Sequence, residues 1–109
     1  MTDKIVVFTT CESGEEAARL ARELVDLRLA ACVNILPGVR SVYRWKGTVE
    51  ESAETLLVIK SSRALFDRLR AAIEKLHSYD VPEVIALPIV EGARNYMEWL
   101  GVELAEPRS

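Results

Sequence analysis

The hydrophobic and polar positions of this chain follow two periods, one typical of strands and the other of helices. A short apolar and β-branched run, residues 5–10, predicts a strand that is buried on both faces and therefore central in its sheet. Three later stretches, 31–45, 48–60 and 84–90, also favour strands. Pro88 inside the last stretch indicates an edge strand or an interrupted end, because proline cannot donate to the ladder.

Segments whose apolar residues recur at helical spacing lie between these strands and after the last one. Ser13 and Glu16 match a capping box, in which the serine accepts from a free backbone amide and the glutamate reaches back to the serine. A helix follows to about residue 27, and Ser62 caps a second helix whose apolar stripe runs over 65–76. A short helix from about Ala93 to Leu100 ends the pattern.

The order of these elements, βαββαβ with an added helix, predicts one α+β domain over residues 1–109 with a ferredoxin-like fold.

The two middle strands form an unusually long hairpin. Pro37 and Gly38 predict a bulge or bend within the first strand, and Gly47 supplies a positive φ for a tight turn. Each strand has a dozen residues or more, against a usual length of about 5 to 6. In a monomer, Tyr43 and Trp45 near the tip would leave large rings and unpaired strand edges in water. We therefore expect a closed symmetric oligomer; the alternative is a hairpin folded back over its own helices.

Charge and composition limit the classes of partner that this chain is expected to bind. The net charge is −3, from 17 acidic and 14 basic residues scattered along the chain, which disfavours a surface that tracks phosphates. No stretch approaches the roughly 18 to 20 apolar residues needed to cross a bilayer, and no signal peptide is recognisable. We expect no nucleic-acid or membrane partner and a cytoplasmic location, where Cys11 and Cys32 stay reduced thiols.

Few residues carry candidate chemistry. His77 is the only histidine, so it either acts as a cation at a helix C-terminus or binds a metal with help from Cys11 or from other copies of the chain. Cys11, beside the start of the first helix, is the better candidate of the two cysteines for a reactive thiol with a lowered pKa, whereas Cys32 is most simply a small buried hydrophobe. Glu83, directly after Pro82, is a candidate for an acid or base in a pocket.

The sequence contains no nucleophile elbow and no Walker or Rossmann glycine loop. It therefore predicts a protein that is not an enzyme and has no organic cofactor. Catalysis by Glu83 or Cys11 is the alternative.

Four segments resemble one known family. Residues 29–38 read LAACVNILPG, residues 41–47 read SVYRWKG, residues 77–83 read HSYDVPE and residues 95–100 read NYMEWL. In this order they resemble the CutA family, the divalent-cation tolerance proteins, over nearly the whole chain. Ser78 stands where the family usually has proline.

The resemblance implies a tight homotrimer built through the long strands, an architecture related to the PII signalling proteins, and a link to copper or another divalent cation. Family members have been linked to copper through a first-strand cysteine and through histidines; here the cysteine position is Thr9, and His77 matches. The resemblance thus supports His77 as a metal candidate, and Cys11 is the second candidate from its own place in the sequence.

A second hypothesis is a PII-like sensor that takes an anionic metabolite or nucleotide in a cleft between subunits. The residues expected to line that cleft are Cys32, Tyr43, Trp45, Lys60, Tyr79 and Glu83.

Overall fold

The computed structural model describes residues 2–105. The bounds of its strands and helices are β1 (Lys4–Cys11), α1 (Gly14–Asp26), β2 (Cys32–Trp45), β3 (Thr48–Ser62), α2 (Phe66–Leu76), β4 (Ile85–Pro88) and α3 (Arg94–Glu103). The predicted α+β fold of ferredoxin-like order, with its long hairpin and C-terminal helix, is confirmed. None of the helices within residues 2–105 is long and apolar enough to cross a bilayer.

The four strands form one antiparallel sheet in the order β2-β3-β1-β4. β1 is central, as expected, and β4 lies at the edge and ends at Pro88. Burial along β1 alternates strictly: Val7 is fully buried, whereas Val6 and Phe8 are only half-buried. The prediction that this strand is buried on both faces is therefore wrong within a single chain.

The buried face of the sheet carries the core. Helices α1 and α2 present apolar stripes to it, and the largest fully buried apolar side chains include Leu24, Leu57, Ile59, Leu69 and Ile73. We call the opposite side the open face. Residues directly opposite each other in an antiparallel pair share a face, so the register places on it Val6, Phe8, Leu56, Val58, Ile85 and Leu87.

The hairpin projects from the body of the protein. β2 has 14 residues and β3 has 15, and the principal extents of 44 × 26 × 23 Å reflect this length. Lys46 and Gly47 form the turn with φ of 50° and 81°, as two-residue hairpin turns require. Near the tip, Val42 and Val49 are 66% and 61% exposed, so the hairpin is not folded back over the helices.

A bulge in β2 changes which of its side chains point to each face of the sheet. Leu36 pairs with Leu56, but the next paired residue is Val39, opposite Glu54, so β2 holds one extra residue here. Gly38, inside the bulge, has φ of 79°. Because side chains alternate between faces, the bulge places Tyr43 on the same face as Glu54.

The helix starts differ from the sequence predictions in three details. The Oγ of Ser13 accepts from the amide of Glu16 at 3.1 Å, as predicted, but the Glu16 side chain does not form the expected bond back to the serine and turns towards Ser78. Ser62 makes no side-chain cap, because a short 3-10 turn, Arg63–Leu65, separates it from α2. α3 starts one residue after the expected Ala93 and extends to Glu103.

Candidate functional site

Three chain segments meet at one end of the sheet. β1 ends at Cys11, and α1 begins three residues later. Because β1 and β3 are antiparallel, the helices that follow them run in opposite directions, so the end of α2 comes to the start of α1. This packing brings His77, the C-cap of α2, against Cys11 and against Glu16 in the first turn of α1.

The three side chains form a buried cluster of different donor atoms. The Sγ of Cys11 lies 3.9 Å from the Nε2 of His77. One potential ligand atom from each of Cys11, Glu16 and His77 lies within 4.8 Å of the others, and all three residues are buried. The structure therefore brings together the two metal candidates predicted from sequence and adds a carboxylate.

Both ring nitrogens of His77 have partners. Nδ1 accepts a hydrogen bond from the amide of Tyr79 at 3.1 Å, which requires a lone pair on that atom. Nε2 then carries the proton and donates to the carbonyl oxygen of Thr10 at 2.7 Å. This network assigns the neutral Nε2–H tautomer, so a metal ion at Nε2 would have to replace the bond to Thr10.

The Glu16 carboxylate joins the cluster to the following loop. Its Oε2 accepts from the amide of Ser78 at 2.8 Å, while its buried Oε1 has no hydrogen-bond partner among the described residues. Burial by itself would raise the pKa of Glu16, but the hydrogen bonds from Ser78 lower it. Glu16 is therefore a carboxylate at neutral pH.

The structure does not support Cys11 as the reactive thiol with a lowered pKa that its position near a helix start suggested. It is fully buried. Burial, followed by the charges of Glu16 and Glu54, raises the pKa of Cys11 to about 12. The neighbouring carboxylates and the lack of solvent thus outweigh the helix N-terminus, and the thiol stays protonated at neutral pH.

The donor set fits a borderline or soft divalent cation. Thiolate, imidazole and carboxylate are the ligands that zinc and copper take in proteins, and the free Oε1 of Glu16 is one acceptor without a partner. Across residues 2–105 this is the only such cluster of three or more His, Cys, Asp or Glu ligand atoms. Thr9, where the resemblance implied a cysteine, lies on the same face two residues earlier, and its buried hydroxyl has no partner among the described residues.

A cavity of about 830 Å³ lies beside this cluster, between the hairpin and the loop after α2. Three aromatic and four acidic residues are among those that line it: Tyr43, Trp45, Tyr79, Glu12, Glu54, Asp80 and Glu83. We call it the hairpin cavity. Its size is that of a small-molecule site.

Glu54 is the electrostatic centre of the hairpin cavity. The hydroxyl of Tyr79 donates to its Oε2 at 2.7 Å. Partial burial and then the charge of Glu54 raise the pKa of Glu83. Burial, together with the hydrogen bond to Glu54, raises the pKa of Tyr79 well above its ordinary value. The walls of the cavity are therefore acidic.

The residues expected in one cleft fall into two groups within a chain. Tyr43, Trp45, Tyr79 and Glu83 line the hairpin cavity. Cys32 and Lys60 face each other at the far end of β2, with 4.0 Å between Sγ and Nζ. Tyr43 lies eleven positions after Cys32 along β2, which corresponds to roughly 30 to 35 Å along a strand.

Sequence reasoning missed Glu16 and Glu54. The capping pattern explains Glu16 without any role in a site, and no motif in the sequence singles out Glu54. Nothing in their local sequence indicates that they contact His77 and Tyr79, more than 20 residues away.

Comparison with known proteins identifies the family. The profile of the family described as "CutA1 divalent ion tolerance protein" matches residues 5–103. The chain belongs to this family. A CutA1 relative from Thermus thermophilus, "Divalent-cation tolerance protein CutA", is 50% identical over 95 residues, which are 87% of this chain and 92% of that protein.

Some other CutA proteins are longer. "Protein CutA, chloroplastic" of Arabidopsis thaliana is 49% identical over 96 residues, which are 88% of this chain but only 53% of the plant protein. Among solved CutA1 structures, the "Divalent cation tolerance protein (Cut A1)" of Thermus thermophilus superposes with a TM-score of 0.92 at 47% identity, covering 94% of this chain and 99% of that chain. The similarity thus extends over sequence and fold together.

Proposed function

We propose that this chain is a non-enzymatic divalent-cation tolerance protein that acts as a homotrimer and binds a divalent cation weakly through Cys11, Glu16 and His77. The observation that carries the proposal is the convergence of sulfur, nitrogen and oxygen donors within 4.8 Å of one another in a buried position. Copper is the first candidate, because it stands above zinc in the affinity order of divalent metals for such ligands.

The affinity is expected to be weak because the protein must give up existing interactions. A cation at this cluster takes the place of the proton on Cys11, whose pKa is about 12, and of the hydrogen bond from His77 to Thr10. Ligand deprotonation makes binding pH-dependent. We therefore expect the metal affinity to increase as the pH rises.

The open face supports self-association. Its apolar side chains are half-buried or exposed in one chain: Ile85 and Leu87, for example, are 51% and 45% exposed. A contiguous apolar surface of this kind typically marks an interface. A ring of three chains would cover the open faces and the long strand edges together.

The test is calorimetric titration with copper and zinc at two pH values, on protein whose mass is measured by light scattering. We expect three times the chain mass of 12.2 kDa and metal binding that is lost in Cys11→Ser and His77→Ala. Cys32→Ser is the matched control for Cys11→Ser, since it removes the other thiol, which lies outside the cluster. Equal metal binding by Cys11→Ser and wild type would contradict the proposed site.

We place this function in the cytoplasm. Both cysteines are free thiols, as a reducing compartment requires. Localising a tagged full chain in its own cells tests this assignment, and export of the protein would overturn it.

The hairpin cavity supports a second candidate, a PII-like sensor whose ligand binds in a cleft between subunits. Its size and its aromatic walls are those of a small-molecule site. The acidic walls disfavour the anionic metabolite or nucleotide expected from sequence. A thermal-shift screen separates the two functions, because a ligand stabilises the folded state in proportion to its occupancy.

A further inference from the structure

We propose that the hairpin cavity binds an organic cation of the aliphatic polyamine class. This inference rests on the second proposed function, the ligand-binding cleft, and names the chemistry of its ligand. It is independent of a metal ion at Cys11, Glu16 and His77.

The charge of the cavity points to a cation. Its acidic side chains come from separate segments: Glu12 follows β1, Glu54 lies on β3, and Asp80 and Glu83 belong to the loop after α2. Among the described residues that line the cavity there is no lysine, arginine or histidine to neutralise them. The raised pKa of Glu83, caused partly by Glu54, agrees with uncompensated negative charge.

The aromatic walls point to an organic rather than a hydrated inorganic cation. Tyr43 and Trp45 come from β2, and Tyr79 faces them from the loop after α2. Aromatic rings attract ammonium groups through the face of the ring while they also contact methylene groups. Trp45 already has such a neighbour at the turn, since the Nζ of Lys46 lies 6.0 Å from its ring centroid.

The spacing of the carboxylates points to a ligand with several separated charges. Three or more carboxylates that converge on one metal ion would form a cluster like that of Cys11, Glu16 and His77, and within residues 2–105 only that cluster has the required spacing. The acidic groups of the cavity are spread around about 830 Å³ instead. An extended chain of amines joined by methylenes matches both features, because each ammonium pairs with a different carboxylate.

The experiment is calorimetric titration of the full-length protein with spermidine in 150 mM NaCl, where long-range attraction to an acidic protein is screened. We expect one spermidine per chain. Glu54→Gln should weaken binding about tenfold, because one charge-assisted hydrogen bond is lost, and Trp45→Leu about three- to fivefold through the lost cation–π contact.

Two matched variants control for charge and for aromatic content. Glu51→Gln removes the same charge from the same strand but outside the lining of the cavity, and Trp99→Leu removes the other tryptophan. Both should bind spermidine like the wild type. Equal weakening by Glu51→Gln and Glu54→Gln would show unspecific attraction and overturn the proposal.

Titration with ATP separates failure of the ligand class from failure of the cleft. If ATP binds and spermidine does not, and Trp45→Leu abolishes the ATP binding, the polyamine class is wrong and the sensor function stands. If neither compound binds, for example because a neighbouring copy fills the cavity, both the inference and the second proposed function fall.

Discussion

The Glu16 carboxylate in the first turn of α1 accepts a hydrogen bond at 2.8 Å from the amide of Ser78, 62 residues later in the chain. This contact fixes the loop that follows α2 to the start of α1. It also accounts for the departure of Glu16 from the capping box, since the side chain is turned towards Ser78 and away from Ser13. The free energy of this contact should depend on pH.

We expect Glu16→Gln to lower the free energy of unfolding by about 1 kcal/mol at pH 7, because a charge-assisted hydrogen bond becomes a neutral one. The folded-state pKa of Glu16 lies below its ordinary value. Its contribution is therefore present above the unfolded pKa and is lost as the pH falls through the folded pKa. Denaturant unfolding between pH 7 and pH 3, with Glu15→Gln as the control, should show the difference shrinking below roughly pH 5. A difference that stays constant with pH would contradict this.

The two cysteines should differ sharply in reactivity. Cys11 is fully buried with a pKa of about 12, so at pH 8 about one thiol in ten thousand is a thiolate. Cys32 is only half-buried. With Ellman's reagent at pH 8, we expect Cys11→Ser to react like the wild type and Cys32→Ser to react only on unfolding. Fast modification of the folded Cys32→Ser variant would show that Cys11 is accessible.

Thr9→Val should stabilise the fold or leave its stability unchanged, although most core substitutions destabilise. The Thr9 hydroxyl is buried and has no partner among the described residues, and valine has nearly the same shape. Removal of a buried polar group without a partner is worth about 1 kcal/mol. The check is the denaturation midpoint, with Thr55→Val as a second buried threonine on the same sheet. A loss of more than about 1 kcal/mol on Thr9→Val would mean that the hydroxyl has a partner, such as a buried water.

A charge on the open face should dissociate the proposed oligomer and leave the chain folded. Val58 lies on this face opposite Phe8, so Val58→Glu places a carboxylate where a second copy would pack. Ala71→Glu on the outer side of α2 is the matched control, since Ala71 is exposed. We expect light scattering to give the mass of one chain for Val58→Glu only, with unchanged circular dichroism. An unchanged mass for Val58→Glu would exclude this face as the interface.

The fold could be predicted almost completely from local patterns. The periodicity of apolar residues predicts the strands and helices. Lys46 and Gly47 predict the turn, because a two-residue hairpin turn needs a positive φ and few residue types adopt one readily. The half-buried state of Val6 and Phe8 could not be predicted, because an apolar run does not tell whether elements of the same chain cover both of its faces.

The candidate site was only partly predictable. His77 and Cys11 were singled out as rare chemical types, but their contact depends on how far α2 runs before it ends beside α1. The partners Glu16 and Glu54 could not be found, because glutamate on a helix start or a strand usually faces solvent. The wrong expectation for the pKa of Cys11 has the same origin, since burial and those two carboxylates are properties of the packing.

The single extra residue between Leu36 and Val39 lets β2 lose one residue without a change of register. Removing Gly38 would leave a regular ladder in which Leu36 and Val39 keep their present partners. Tyr43 would therefore stay on the face of Glu54, and the strand would lose only the local bend and twist that a bulge adds. A one-residue deletion in the opposing part of β3 has no extra residue to absorb it, so it would turn the side chains on one side of the deletion to the other face of the sheet.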